Sequence, residues 1–257
     1  MRKVILSLSL ALAISLSFVL CPQTTYAIDI YTPNPENEVI TCSDFDMVIR
    51  PKAPAMEGSD VITPVSAARP TGTVHIVINK SERKLFLYDN GNIFKEYPVA
   101  VGKAETPTPV GEWKITSKGM WGGGFGTRWM GLNVPWGKYG IHGTNKPYSI
   151  GTYASHGCIR MFNRDVEELY SFVDIGTPVI IEGNYPHLAY RTVKPGTASK
   201  DMLHVQKRLR ELGLYWGPID GRYGKMTEMS TTYFQLLNNE EADGIIDDSY
   251  YEILQLK

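Results

Sequence analysis

The chain has 257 residues, of which 43% are hydrophobic and 21% charged, and its formal net charge is −1. This is the composition of an ordinary globular protein that can bury a core, with room for one large domain or two modest ones. A near-zero net charge without a long basic run argues against a nucleic-acid binder, because such proteins cluster Lys and Arg to neutralise phosphates. We therefore expect no nucleic-acid partner.

The N-terminal residues carry a secretory pattern. Two basic residues precede an uncharged apolar stretch, residues 4–20, and a more polar segment that ends on Ala27. This pattern predicts a signal peptide over residues 1–27 and export to the cell wall or another extracytoplasmic site. An uncut membrane anchor is the alternative, although the stretch is at the short limit for a span of roughly 20 residues. Lipid modification of Cys21 is disfavoured because the bulky Leu20 precedes it.

Two cysteines remain beyond the predicted signal peptide, Cys42 and Cys158. Exported proteins tend to pair their cysteines, so a Cys42–Cys158 disulfide is one interpretation. Cys42 lies in a Pro-rich segment, residues 28–72, which predicts an extended spacer. Cys158 lies among glycines and histidines, the setting expected of a nucleophile. We favour a reactive thiol at Cys158 and keep the disulfide as the alternative.

Residues 73–184 carry the two-residue periodicity of β-strands. The sequence predicts a first strand over Val74–Ile78 and a hairpin at Asn90-Gly91, the pair that best accepts the positive φ angles of a tight turn. Further strands are predicted over residues 83–89, 92–99, 111–117 and 177–182. This part of the chain is therefore predicted to form a mostly β domain.

Helical spacing of apolar residues predicts one helix in this domain and three in the tail. The first helix aligns Val166, Leu169 and Val173, with Asn163 as its candidate N-cap. After a linker, residues 185–199, the pattern of residues 200–257 predicts a small all-α three-helix domain. Its apolar stripes and final cap are Met202, Val205, Leu209 and Leu212, then Met226, Met229, Tyr233 and Leu236, then Asp247, Asp248 and Ser249.

One cluster of residues can carry chemistry. His142 precedes Cys158 by 16 positions, within Ile141-His142-Gly143-Thr144 and Ser155-His156-Gly157-Cys158-Ile159-Arg160. A free cysteine is mostly protonated at neutral pH, so a neighbouring imidazole is needed to take the proton and later return it to the leaving amine. The N–H groups of Gly157 and Cys158 are candidates for an oxyanion hole. Two other interpretations remain at this point, a purely structural His and Cys, or a zinc site formed by His142, His156 and Cys158.

The segment Ser155–Arg160 resembles the signature of the L,D-transpeptidases, the YkuD family. The resemblance extends to Thr106–Trp113 and Tyr139–Gly143 and covers about residues 73–183. It implies a β-sandwich-like mixed sheet with one main helix and a cysteine beneath a flap, for which the Gly-rich residues 119–126 are the candidate. It also implies no metal and no cofactor.

The resemblance assigns roles to these residues. It implies that Cys158 is the nucleophile, that His142 is the general base and that the backbone carbonyl of Gly143 orients the imidazole. Arg160 is expected to hold a substrate carboxylate, since its planar fork can bind one at two points. The full set of candidate substrate-binding residues is Arg160, His156, Ser155, Tyr139 and Trp136.

The tail resembles the three-helix peptidoglycan-binding domain found on wall hydrolases, over Val205–Leu209, Leu212–Gly224 and Asp243–Asp247. Together the two resemblances imply a monomeric L,D-transpeptidase that forms 3→3 cross-links through a cysteine thioester. Its partners would be the tetrapeptide donor stem, the amine of an acceptor stem and β-lactams of the carbapenem type. An L,D-carboxypeptidase and a non-catalytic wall-binding protein are the alternatives.

Overall fold

The computed structural model describes residues 69–257, which form ten β-strands and four α-helices. The expectations for the signal peptide, for most of the spacer and for Cys42 lie outside the described residues. The strands are β1 Val74–Asn79, β2 Lys84–Asp89, β3 Asn92–Pro98, β4 Val101–Gly102, β5 Gly111–Gly119, β6 Trp129–Leu132, β7 Tyr139–His142, β8 Tyr153–Ser155, β9 Ile159–Arg160 and β10 Pro178–Glu182. The helices are α1 Asn163–Phe172, α2 Asp201–Glu211, α3 Lys225–Leu237 and α4 Asp248–Ile253.

Eight strands form one mixed sheet with the order β3-β2-β1-β10-β5-β6-β7-β9, and β4 pairs with β8 in a separate ladder. Most neighbours in the large sheet are antiparallel, but β1 pairs with β10 and β7 with β9 in parallel. Apolar side chains of α1, among them Val166 and Leu169, pack with those of the strands in one core cluster. The predicted fold class, a mostly β domain with a mixed sheet and one main helix plus a three-helix domain, is confirmed.

The predicted hairpin and its strands are present. Asn90 and Gly91 have φ angles of 48° and 80° and join β2 to β3. The predicted cap of α1 is wrong in detail, because the helix starts at Asn163 and the N-cap position is Phe162. The side chain of Asn163 instead accepts a hydrogen bond from the N–H of Thr144 at 3.1 Å. That hydrogen bond ties the start of α1 to the chain that follows β7.

The three-helix domain has the predicted helices but not the predicted burial on α3. Met229 is 61% exposed, and Met226, Tyr233 and Leu236 are exposed as well, so the stripe predicted to pack inward faces solvent. The buried side chains of α3 are largely polar, namely Thr227, Ser230, Thr231, Phe234 and Gln235. Helical spacing places residues on a common face, but the hydrogen-bond partners available inside the domain decide which face is buried. No helix among residues 69–257 combines the length and the apolar character needed to cross a membrane.

The fully buried side chain of Gln206 on α2 organises the interior of this domain. Its carbonyl oxygen accepts from the N–H groups of Asp220 and Gly221 at 3.0 and 2.8 Å. Its amide donates to the carbonyl of Arg222 at 3.0 Å. The turn between α2 and α3 is therefore held by one side chain.

Replacing Gln206 with methionine, which has a similar length, is expected to leave the two buried N–H groups without an acceptor. The expected loss in the free energy of unfolding is about 2–6 kcal/mol, since each of the two unsatisfied buried donors costs about 1–3 kcal/mol. Urea unfolding measures this loss, with Lys207→Met at the neighbouring partly exposed position as the matched control. Equal midpoints for the two variants would contradict this role.

The three-helix domain shares a buried seam with the sheet. Glu112 of β5 forms an ion pair with Arg210 of α2. The N–H of Glu112 donates to the carbonyl of Ile219 at 2.8 Å, and the N–H of Ile219 donates to the carboxylate of Glu112 at 3.1 Å. Leu203 and Ile219 belong to the same core cluster as the strands of the mostly β domain. The two domains are therefore joined by apolar packing and by a charged contact.

Candidate active site

Parallel pairing of β7 with β9 brings the two motif segments together. Ile141 lies opposite Ile159, and His142 lies opposite Arg160. Because residues paired across neighbouring strands share a face of the sheet, His142 and Arg160 lie on the same face. Cys158 directly precedes β9 and lies two residues before Arg160. His142 is buried and Cys158 is partly buried. The sheet register thus brings together the two chain segments that carry His142 and Cys158, which are 16 positions apart in the sequence.

The imidazole of His142 is held in one orientation. Its Nδ1 lies 2.5 Å from the carbonyl oxygen of Gly143. A carbonyl only accepts hydrogen bonds, so Nδ1 carries the proton and the neutral ring presents a bare Nε2. The expected contact between Gly143 and His142 is therefore present in the structure.

Aromatic rings from the Gly-rich stretch and from β6 surround this imidazole. Trp129 stacks on His142 with ring centroids 5.6 Å apart, and Phe125 contacts it edge-on at 5.1 Å. Trp121 in turn stacks on Trp129 with ring centroids 4.8 Å apart. Trp129 is buried, whereas Trp121 and Phe125 remain exposed at the outer end of the stack. The stretch therefore covers His142 through its aromatic side chains.

The environment keeps both members of the pair uncharged at rest. Burial lowers the pKa of His142, with the hydrogen bond to Gly143 opposing the shift and the positive charge of Arg160 adding to it. Burial raises the pKa of the Cys158 thiol, with a backbone hydrogen bond from Gly140 and the charge of Arg160 opposing the shift. A thiol with a raised pKa needs a base for attack, and an imidazole with a lowered pKa is available as that base at neutral pH.

The loop before Cys158 differs from two predictions, those for Gly157 and for Ser155. Gly157 has a φ of 111°, and its N–H donates to the Ser155 hydroxyl at 3.1 Å, so this N–H is not available for the predicted oxyanion hole. The Ser155 hydroxyl in turn donates to the carbonyl of Cys158 at 2.6 Å. Ser155 is 1% exposed, so its assignment to substrate binding is also wrong. A hydroxyl that bridges two backbone groups fixes the shape of this loop, and the sequence motif gave no signal of that role.

The other candidate substrate-binding residues lie around the same loop. A cavity of about 530 Å³ beside it is lined by His156, Tyr139 and Trp136. A Cβ on Gly157 would lie 2.6 Å from the ring of Tyr139, so the loop and this ring are in close contact. Trp136 packs edge-on against Trp113 at 5.7 Å.

Arg160 is held by backbone bonding to a neighbouring segment. Its N–H donates to the carbonyl of Ala100 at 2.9 Å, and the N–H of Ala100 donates back to Arg160 at 2.9 Å. Its side chain forms no ion pair with any residue of 69–257. The guanidinium is therefore available to an external carboxylate. Within the same range, no group of three or more His, Cys, Asp or Glu side chains is placed to hold a metal ion.

Comparison with known proteins identifies the family of both domains. Residues 73–181 match the family described as the L,D-transpeptidase catalytic domain, and residues 198–254 match a peptidoglycan-binding domain family. The YkuD protein of Bacillus licheniformis, named for L,D-transpeptidase activity, is 46% identical over 125 residues, which cover 48% of this chain and 74% of the relative. Its Bacillus subtilis counterpart is 44% identical over 125 residues, covering 48% and 75%.

A solved catalytic domain of an Enterococcus faecium L,D-transpeptidase is 26% identical, with a TM-score of 0.39 over 44% of this chain and 98% of the other. The identity with the Bacillus licheniformis protein covers nearly three quarters of that relative, and the match to the family model spans His142 and Cys158. The chain therefore belongs to the L,D-transpeptidase family and carries, in addition, a peptidoglycan-binding domain.

Proposed function

We propose that this protein is a peptidoglycan L,D-transpeptidase that uses Cys158 as its nucleophile and forms 3→3 cross-links. The observation that supports the proposal is the register of β7 and β9, which pairs His142 with Arg160, two residues after Cys158. The contact between Nδ1 of His142 and Gly143 turns Nε2 into the available base. The family membership supports the choice of peptidoglycan stems as substrates.

The first half-reaction is acylation of the thiol. Nε2 of His142 takes the proton of Cys158 as Sγ attacks the carbonyl of the third residue in a tetrapeptide donor stem. The oxyanion accepts a hydrogen bond from the N–H of Cys158, since the N–H of Gly157 is engaged by Ser155. The imidazolium then gives its proton to the leaving amine, the C–N bond breaks and the terminal D-alanine departs. A thioester on Cys158 remains.

The second half-reaction transfers the acyl group. The side-chain amine of an acceptor stem attacks the thioester and its proton passes to His142. The C–S bond then breaks, and His142 returns this proton to the departing Sγ, which regenerates the thiol and the neutral imidazole. Arg160 is suited to hold a stem carboxylate near the thiol, because its guanidinium has no ion-pair partner among the described residues. Attack by water on the same thioester would make the protein an L,D-carboxypeptidase.

The proposed site of action is outside the cytoplasm, at the wall. The support is the charged and apolar pattern of residues 1–27 and the peptidoglycan-binding domain over residues 198–254. The same site is expected to be acylated by carbapenem-type β-lactams, whose strained carbonyl would take the place of the stem carbonyl.

Incubation of the purified protein with a disaccharide tetrapeptide tests this function. Mass spectrometry of the products should find free D-alanine and a dimer that lacks one terminal D-alanine. A tripeptide stem without dimer would instead assign the carboxypeptidase activity. Unchanged tetrapeptide, under conditions in which the protein is folded, would contradict both activities.

A further inference from the structure

The cavity beside His156 has a wall that the catalytic domain does not supply. Lys200 and Leu203 of the three-helix domain line it, together with Tyr185 of the linker. Pro107 and Trp136 of the catalytic domain line it as well. We call this space the interdomain cavity. Its volume, about 530 Å³, is within the range of pockets that enclose a small ligand or part of a peptide.

The wall from the three-helix domain is fixed in place. Leu203 is buried in the core of the catalytic domain, and Arg210 on the same helix is paired with Glu112. Arg222 donates to the carbonyl of Asn133 at 2.7 Å. A cavity bounded by such a seam is a permanent feature of the fold, because opening it would expose apolar surface and break charged hydrogen bonds.

The interdomain cavity carries unpaired positive charge. Neither Lys80 nor Lys200 forms an ion pair with any residue between 69 and 257. Lys80 is partly buried, and its stem covers Gly183, where a Cβ would lie 3.1 Å from Cδ of the lysine. Burial lowers the pKa of Lys80, as expected for an ammonium without a counter-ion. The acidic residue among those that line the cavity is Glu105, which is exposed.

The position of the cavity limits what can occupy it. His156 and Tyr139 line it and also border Gly157, next to the proposed nucleophile. An occupant of the cavity would therefore lie beside the loop that precedes Cys158. An unpaired ammonium in a partly buried wall favours an anionic group, since a carboxylate would offset the cost of desolvating the lysine.

We propose that the interdomain cavity binds a carboxylate-bearing segment of a peptidoglycan stem peptide, with Lys80 and Lys200 as its cationic partners. The three-helix domain then completes the substrate site through Lys200, in addition to any contact it makes with the wall. This inference rests on the proposed function, because it takes stem peptides as the substrate.

Calorimetric titration of the Cys158→Ala variant tests the binding without turnover. One probe is a soluble tetrapeptide stem with free internal carboxylates, and the other is the same stem with those carboxylates amidated. Lys80→Gln and Lys200→Gln are each expected to weaken binding of the free stem by about 3- to 10-fold, the range of one partly exposed ion pair. Neither substitution should change binding of the amidated stem. The control is Lys194→Gln, an exposed lysine of the same chain outside the cavity.

Equal affinities of the parent, Lys80→Gln and Lys200→Gln proteins for the free stem would overturn the inference. Equal affinities of the parent for the free and amidated stems would overturn it as well, and so would an absence of stem binding. The proposed function is judged separately by release of D-alanine from the stem by the protein with Cys158 intact. If the protein releases D-alanine while the two lysine variants bind the free stem with the affinity of the parent, the proposed function stands and the proposed subsite is refuted.

Discussion

Replacing Cys158 with alanine is expected to abolish turnover on tetrapeptide stems, a loss of at least about 10³-fold. The substitution removes the only thiol among residues 69–257 and little volume. The sulfur forms only weak polar contacts, with the carbonyl of Lys138 at 4.0 Å and with the backbone of Gly140, so the fold should not depend on it. Product formation measured by mass spectrometry, with thermal unfolding of the same sample, separates loss of chemistry from loss of structure.

Cys158→Ser is the matched variant for this prediction. A serine hydroxyl has similar size but is far less acidic than a thiol, so one buried imidazole is expected to activate it poorly. Both variants should therefore be inactive and folded. Turnover that survives in Cys158→Ala would mean that another group attacks the stem.

Replacing His142 with alanine is expected to lower turnover by about 10²–10⁴-fold, the usual contribution of a positioned general base. The burial that raises the pKa of Cys158 leaves the thiol protonated at neutral pH once its base is gone. His187→Ala is the control, because that histidine is exposed and lies outside the family motif. Comparable losses of turnover in the two variants would contradict the role of His142 as the general base.

The dependence of the acylation rate on pH should follow the titration of the His142 imidazole. The pKa of His142 is lowered from the ordinary 6.5, so its neutral form persists below neutral pH. The parent enzyme should therefore keep its rate as the pH falls to the ordinary histidine range and lose it only at lower pH, when Nε2 becomes protonated. In His142→Ala this acid limb should disappear, and the residual rate should rise toward alkaline pH as Cys158 ionises. An acid limb that survives in the variant would belong to another residue.

Much of the candidate site could be predicted from the sequence, because a short motif determines both the reactive side chains and the backbone conformation around them. The segments around His142 and Cys158 fixed the residue types of a thiol and its base, and the resemblance supplied the orienting carbonyl of Gly143. The strands that hold them, β6, β7 and β9, were not predicted. They are two to four residues long, and all four residues of Trp129–Leu132 are buried, so no alternation marks them.

The role of Ser155 shows a limit of motif reading. The residue belongs to the signature, so the sequence suggested contact with substrate, but its hydroxyl bridges the N–H of Gly157 and the carbonyl of Cys158. A small polar side chain next to a positive-φ glycine can serve either purpose, and only the local geometry separates them. The donor proposed for the oxyanion is for this reason the N–H of Cys158.

The C-terminal domain illustrates the same limit at larger scale. Helix positions followed from apolar spacing, but the spacing could not show that Gln206 would organise the interior or that the stripe on α3 would face solvent. It also could not show that Leu203 would join the core of the catalytic domain. Contacts between segments that are far apart in sequence decide these features, and local periodicity carries no information about them.

Intact-protein mass spectrometry after incubation with a carbapenem tests most directly that Cys158 is an accessible acyl-transfer nucleophile. The parent protein should gain the mass of one inhibitor molecule, with the adduct mapped to the peptide that contains Cys158, and the Cys158→Ala variant should gain none. An adduct that persists in Cys158→Ala, or a parent that stays unmodified while its thiol is free, would contradict the account.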